Sequence, residues 1–196
     1  MTRTATGTPP SVVCAAMPAA DASRVAAALL AAPPGPGGTR VLAIDGPSGS
    51  GKTTLAGRVA AELDAPVFHL EDVYPGWDGL EATVPRVVDW VLRPVAEGRP
   101  ARYRRYDWAA GGYAEWHDVP AGPVLIVEGV ASGALACAPY LSLLVWVEAP
   151  DPVRYGRAMA RDGDTYRPHW DRWDAQAAAH FAAQRTAERA DLRLNG

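Results

Sequence analysis

Gly46-Pro47-Ser48-Gly49-Ser50-Gly51-Lys52-Thr53 fits the spacing Gly, four residues, Gly, Lys, Ser/Thr. Residues this small let the backbone curl until several N–H groups face one centre. A helix opening at Lys52 aims the positive end of its dipole at the same place. The result is a cradle for phosphate oxygens. Lys52 adds a point charge for the β/γ-phosphates, and the Thr53 hydroxyl is placed to ligate Mg²⁺, so the pattern predicts a site for ATP or another nucleoside triphosphate. A glycine-rich turn that binds nothing is the competing reading. The apolar run before the loop and the amphipathic run after it argue against that.

Phosphoryl transfer also needs carboxylates, one to hold metal-bound water and one to orient or deprotonate an acceptor hydroxyl. Glu128 directly follows the apolar run Val124-Leu125-Ile126-Val127, and Glu71-Asp72 follow Val67-Phe68-His69-Leu70. Carboxyl ends of strands open into the ligand crevice of α/β sheets. Glu128 is therefore the candidate for metal-water coordination, and Glu71 or Asp72 for the base, against the reading of caps or solvated loop carboxylates. Asp45, just before the loop, is a weaker metal candidate. Arg154, Arg157 and Arg161 are spaced to share one helical face and lead into Asp162-Gly163-Asp164-Thr165-Tyr166-Arg167-Pro168, a stretch suited to a hinged lid. Arginines brought in by lid closure would neutralise charge on the transferring group, Arg157 and Arg161 foremost. The bland alternative is a solvated basic face.

Arg99, Arg102, Arg104 and Arg105 alternate with Tyr103, Tyr106 and Trp108. This reads as an acceptor-site wall in which Arg holds a phosphate or carboxylate on the substrate. Trp77, Trp108 and Trp116 are candidates for stacking on a flat acceptor, whereas Trp90 and Trp146 lie on periodic apolar faces and read as core. The four histidines are scattered, and none is assigned to metal.

The elements that must position these groups follow from periodicity. Short β-branched runs alternate with helical patterns from Arg40 onward, which predicts an α/β fold with a parallel sheet. Strands are expected at Val41–Asp45, Pro66–Leu70, Val124–Val127, Leu143–Val147 and Ala190–Leu194. Helices are expected over Lys52–Leu63, from Thr83 to a kink or stop at Pro94, over Pro152–Arg161 and over Asp171–Glu188. Residues 1–38 read as a leader with a short alanine-rich helix, Asp21–Ala32, and a Pro/Gly linker, leaving one domain over 39–196.

Of 196 residues, 19 are basic and 22 acidic, for a formal charge of −3, and every basic residue except Lys52 is arginine. That balance supplies no general pull on nucleic acid or anionic membrane. No apolar run reaches the ~20 residues of a membrane span. The stretch Ser11–Ala20 is short and broken by Pro18, unlike a secretory signal. Cys14 and Cys137 are too few for a disulfide framework. A cytoplasmic protein is the expectation, with homo-oligomerisation left open.

In order, Gly46 to Thr54, Glu71-Asp72-Val73-Tyr74, Tyr106-Asp107-Trp108 and Val127-Glu128-Gly129 resemble the uridine kinase and phosphoribulokinase-like group of P-loop kinases. The resemblance runs from about Arg40 to Asn195. It implies a P-loop NTPase three-layer fold with a five-stranded parallel sheet, Mg-ATP as donor, an alcohol acceptor and a helical lid bearing arginines. An Asp opens the family's equivalent of Glu71-Asp72-Val73-Tyr74 and is the base. Register on Tyr74 puts Glu71 there, with Asp72 beside it. Tyr74, Asp78, Arg105, Tyr106 and Trp108 fall where the family reads its acceptor. The family's base-contacting histidine after the Tyr-Asp-Phe segment is replaced by Ala109-Ala110-Gly111-Gly112, and its ribose-binding aspartate motif by Tyr74-Pro75-Gly76-Trp77-Asp78-Gly79. Both departures count against uridine itself. An ATP-binding accessory protein that transfers nothing is the alternative.

Overall fold

Val41, Leu42, Ala43 and Ile44 carry no polar side-chain atom, and the strand they form is buried on both faces, which suits the centre of a parallel sheet. The structure, a computed structural model, describes residues 18–196. Residues 1–17, with Cys14 and most of the stretch compared with a secretory signal, lie outside the described part. In chain order the elements are α1 (Ala19–Ala31), β1 (Arg40–Asp45), α2 (Lys52–Leu63), β2 (Val67–His69), α3 (Leu80–Val87), α4 (Arg93–Ala96), β3 (Ala101–Asp107), β4 (Gly112–Val119), β5 (Val124–Glu128), β6 (Leu143–Glu148), α5 (Asp151–Tyr166), α6 (Trp170–Gln184), α7 (Thr186–Arg189) and β7 (Leu192–Asn195).

Five strands pair in the order β2-β5-β1-β6-β7, all parallel. Their carboxyl ends therefore share one edge, and the phosphate loop, Glu128 and Glu71-Asp72 all emerge there. Alternate residues of β1 feed two cores. Leu42 and Ile44 pack with Ile126, Val145, Leu55 and Val59 under α1 and α2, whereas Val41 packs with Leu125, Val127, Leu92 and Trp173 on the opposite face. Helix α1 lies in the segment read as a leader, yet its Val25 and Leu29 are fully buried in the first of these cores. Each such side chain contributes about 1.5–3 kcal/mol.

The helix predicted to kink or stop at Pro94 widens instead. Val88–Leu92 form a π-helical turn, and Pro94 enters the first turn of α4. The widened turn absorbs the residue that cannot donate to Trp90. Helix α5 continues past Arg161 to Tyr166, broken at Gly163 (φ 52°, ψ −129°), a conformation that residues with a side chain rarely adopt.

An antiparallel hairpin, β3–β4, was not foreseen as strands. Its basic-aromatic alternation is a cross-strand ladder: Tyr103 faces His117, Arg104 faces Trp116, and Tyr106 faces Tyr113 across a bulge. Arg102 pairs with Asp118 at 2.8 Å and lies over the Trp116 ring; Arg105 pairs with Glu115 at 2.6 Å. Trp90 is half-buried against the hairpin, edge-on to Tyr113 and Trp116, while Trp146 is buried as expected, against Phe181. No helix among the described residues is long and apolar enough to cross a membrane.

Candidate active site

The phosphate loop closes over the N-terminus of α2, and its shape depends on the absence of side chains. Gly49 has φ 77°, and the backbone carbonyl of Arg154 occupies the position a β-carbon would need. The Lys52 ammonium is buried and donates to the Pro47 carbonyl at 2.9 Å. Burial pushes its pKa down, against the pull of Glu128 and Asp45, so a further anion beside it would stabilise the charged form.

Glu128, at the end of β5, is buried beside the loop. Its Oε1 accepts from the Thr53 hydroxyl at 3.1 Å and lies 2.6 Å from His69 Nδ1. Burial raises the carboxyl pKa, but His69, Lys52 and Thr53 together bring it below the ordinary value, so it is held as a carboxylate. The two residues predicted to serve a metal are thus in direct contact. Among the described residues no cluster of three or more His, Cys, Asp or Glu side chains is arranged to hold a metal by itself. A hydroxyl and one carboxylate fit Mg²⁺, which keeps several waters and takes its other ligands from substrate phosphates.

His69 was passed over in the sequence. The signal for it is positional: it is the last residue of β2 and in register with Glu128 on β5. The weaker metal candidate, Asp45, is a clamp instead. Its Oδ1 accepts from the amides of Gly46 (2.7 Å) and Ala131 (3.0 Å), and its Oδ2 from Gly133 (2.9 Å). It ties the start of the phosphate loop to the loop after β5, with both oxygens committed.

The acidic pair divides between two directions. Asp72 accepts from the Tyr103 hydroxyl at 2.9 Å, turned toward the hairpin, whereas Glu71 lines a cavity of ≈ 870 Å³ that also contains Lys52, Thr53, Thr54 and Glu128. Glu71 is open to that cavity yet hemmed in by protein. Partial desolvation raises its carboxyl pKa; Arg161 opposes this, while Asp162, Glu128 and Asp72 add to it. Such a carboxyl beside a phosphate cradle has the character of a general base.

The three arginines of α5 also separate. Arg154 is buried, bridging Asp151 (2.7 Å) and Asp174 (2.9 Å) and donating to the Ser48 carbonyl at 3.2 Å. It fixes α5 and α6 to the phosphate loop. Arg157 reaches the Gly49 carbonyl at 3.5 Å, and Arg161 is gripped by both oxygens of Asp162; these two line the cavity.

Only part of the expected acceptor set reaches the cavity. Trp108 does, with Nε1 3.3 Å from the Glu71 carbonyl. Tyr74 does as a ring, but its hydroxyl is buried and donates to Val130 O at 2.9 Å, which leaves it no free polar group to offer. Asp78 is turned to solvent and pairs with Arg172 at 3.3 Å. Arg105 is held by Glu115 and Asp107 on the hairpin. Tyr106 packs edge-on between Trp108 and Tyr113 behind the wall. None of these last three lines the cavity. Trp77 does line it, as expected of a stacking candidate, while Trp116 does not; Tyr166 and Trp173 join the lining unforeseen, because α5 and α6 read as a lid and a plain helix.

A five-stranded parallel sheet flanked by helices, with a phosphate loop between its central strand and the next helix, defines the P-loop NTPase class of α/β folds. Within that class the chain resembles kinases of the uridine kinase group. It is similar to the structure of a possible uridine kinase from Bacillus stearothermophilus, with TM-score 0.65 and 18% identity over 89% of this chain and 97% of that one. It is also similar to a putative fructose transport system kinase from Silicibacter sp. TM1040, with TM-score 0.51 and 22% identity over the same shares. No protein-family model and no curated protein sequence matches the chain.

Proposed function

We propose that this protein is an ATP-dependent kinase that transfers the γ-phosphoryl group to a hydroxyl of a small polar acceptor, nucleoside-like or another alcohol. The observation that carries the reading is the convergence of Lys52, the Thr53–Glu128 pair and Glu71 on one cavity at the carboxyl edge of the sheet. The kinase-like fold of the structural neighbours supports it.

The phosphate loop, residues 46–54, binds the phosphates through the backbone N–H groups that follow Pro47 and through Lys52. Mg²⁺, held through Thr53 and through water on Glu128, would supply charge neutralisation. Glu71 accepts the proton of the acceptor hydroxyl as the acceptor oxygen bonds to γ-phosphorus and the bond to the β-phosphate oxygen breaks, leaving ADP. Arg157 and Arg161 balance charge on the transferring oxygens, and the residues of α5 and α6 over the loop keep water out. Positioning and charge, rather than a covalent intermediate, supply the rate.

The test is transfer of label from γ-labelled ATP to a panel of alcohols, with Mg²⁺ present and omitted. A labelled phosphomonoester that disappears in Lys52→Ala supports the reading. ATP binding with no labelled product from any acceptor would return the accessory-protein alternative. A cytoplasmic location belongs to the same proposal, since that is where ATP is available.

A further inference from the structure

Helix α6 is fastened at one turn to the phosphate loop and at the next to the chain that follows Glu71. Near its start the Trp173 indole N–H donates to the Ser48 hydroxyl at 3.1 Å. Arg154 ties the neighbouring Asp174 to the same loop, donating to that carboxylate at 2.9 Å and to the Ser48 carbonyl at 3.2 Å. One turn on, the Gln176 side-chain amide donates to the Trp77 carbonyl at 2.8 Å. Another turn along, buried His180 lies with Nδ1 2.6 Å from Glu81 Oε1, in the first turn of α3. Positions 173, 176 and 180 are three and four apart, so one face of one helix makes all three contacts.

The body between these attachments is stiff. Three residues of α-helix rise about 4.5 Å and are locked by backbone hydrogen bonds, so a displacement at Trp173 reaches Gln176 with little loss. The far end of α6 is held too, where Gln184 accepts from the Leu135 amide at 2.8 Å. Residues 74–81 have little framework of their own. Their internal backbone bonds are short-range, from Gly76 N to the Tyr74 carbonyl (2.9 Å) and from Gly79 N to the Gly76 carbonyl (3.2 Å). Trp77 is held instead from the α6 side, by Gln176 and by its stacking on Tyr166 and His169, where α5 leads into α6 (centroids 5.1 and 4.5 Å apart).

Resting on the reading of the loop as an ATP site, we propose that α6 is a strut that couples nucleotide occupancy to residues 74–81. Filling the loop fixes Ser48, Ser48 fixes Trp173, and Gln176 then holds Trp77 and the chain after Glu71 in one place. Trp173 and Gln176 are positioning residues in this account, acting through Ser48 and through the Trp77 backbone. By linkage, whatever binds against the ordered segment tightens the nucleotide by the same factor.

The experiment is amide hydrogen exchange on the full chain, free and saturated with a non-hydrolysable ATP analogue and Mg²⁺, followed separately for residues 46–54 and 74–83. In wild type the analogue should slow exchange in both segments, by about fivefold or more in the second. Gln176→Leu cuts the strut at Trp77, and Trp173→Phe cuts it at Ser48 while keeping a ring. In each variant the loop should still be protected by the analogue, while the slowing over 74–83 falls below about twofold. Slowing over 74–83 as large in both variants as in wild type would overturn the proposal, because the segment would then be answering to the nucleotide directly or α6 would be only a static brace. A protected loop with no change over 74–83 in wild type would also overturn it, and would leave the kinase reading standing. If the analogue protects neither segment, the proposed function falls and this inference with it.

Discussion

Glu128 Oε1 is shared between the Thr53 hydroxyl, at 3.1 Å, and the His69 ring, at 2.6 Å. The contact joins the first turn of α2 to the ends of β5 and β2, so one carboxylate couples the phosphate loop to the strand that leads into Glu71. Glu128→Gln keeps the shape and removes the charge. A fall in kcat on the order of a hundredfold and a higher Mg²⁺ requirement are expected, read from rate against Mg²⁺ concentration. His69→Ala leaves the carboxylate but frees its orientation, and about tenfold is expected. Full activity in Glu128→Gln would remove it from the metal site.

Glu71 and Asp72 are adjacent in sequence and separate in space, so their variants should separate in effect. Glu71→Gln is expected to lower kcat by roughly 10²–10⁴. Asp72→Asn, whose oxygen still accepts from Tyr103, should cost less than about tenfold. The reverse order in steady-state kinetics would assign the base to Asp72.

The environment of Glu71 also fixes a pH dependence. Its pKa in the folded protein is raised above the ordinary glutamate value of 4.5, chiefly by partial desolvation from the protein around it. A base works only when ionised, so the acidic limb of kcat/KM should fall at a pH above that value and vanish in Glu71→Gln. For stability the sign is opposite: a raised folded pKa favours the protonated protein, and the ionised carboxylate costs stability once pH passes the folded pKa. Glu71→Gln should therefore raise Tm slightly at neutral pH, the effect being damped by solvent at this open position, with the gain fading as pH falls below the ordinary value. A lower Tm at neutral pH would show that the ionised form is stabilised instead.

Periodicity and spacing carried the parallel sheet, the phosphate loop and α2, because these elements are specified locally: a run apolar on both faces, a glycine pattern, leucines and valines four apart. Glu71 and Glu128 were legible for the same reason, since both follow strands of one parallel sheet. The hairpin was hidden because its alternation is of Arg with Tyr rather than polar with apolar, and its stability comes from cross-strand pairs that a linear reading cannot assign. Asp78 and Arg105 were misplaced for a related reason. Each finds its charge partner far along the chain, Arg172 and Glu115, and turns away from the cavity. Trp173 and Tyr166 reach the site only through the packing of α5 and α6 over the loop.

Because those ion pairs lie in solvent, Asp78→Ala and Arg105→Ala should leave acceptor KM and kcat within about twofold. A tenfold change in acceptor KM for either would place that residue in the acceptor site after all.

Helix α1 supports the sheet that presents the phosphate loop. Leu29→Ala empties a fully buried position against α2 and β1, and a loss of about 2–5 kcal/mol is expected in urea unfolding. A change below about 0.5 kcal/mol would mean that residues 18–38 form a detachable leader.

The central claim is tested most directly by incubating the protein with γ-labelled ATP, Mg²⁺ and a pool of small-molecule alcohols, then following the label by mass spectrometry. The account predicts a labelled phosphomonoester in wild type and none in Lys52→Ala. ATP bound by wild type with every label remaining in ATP or inorganic phosphate would contradict it.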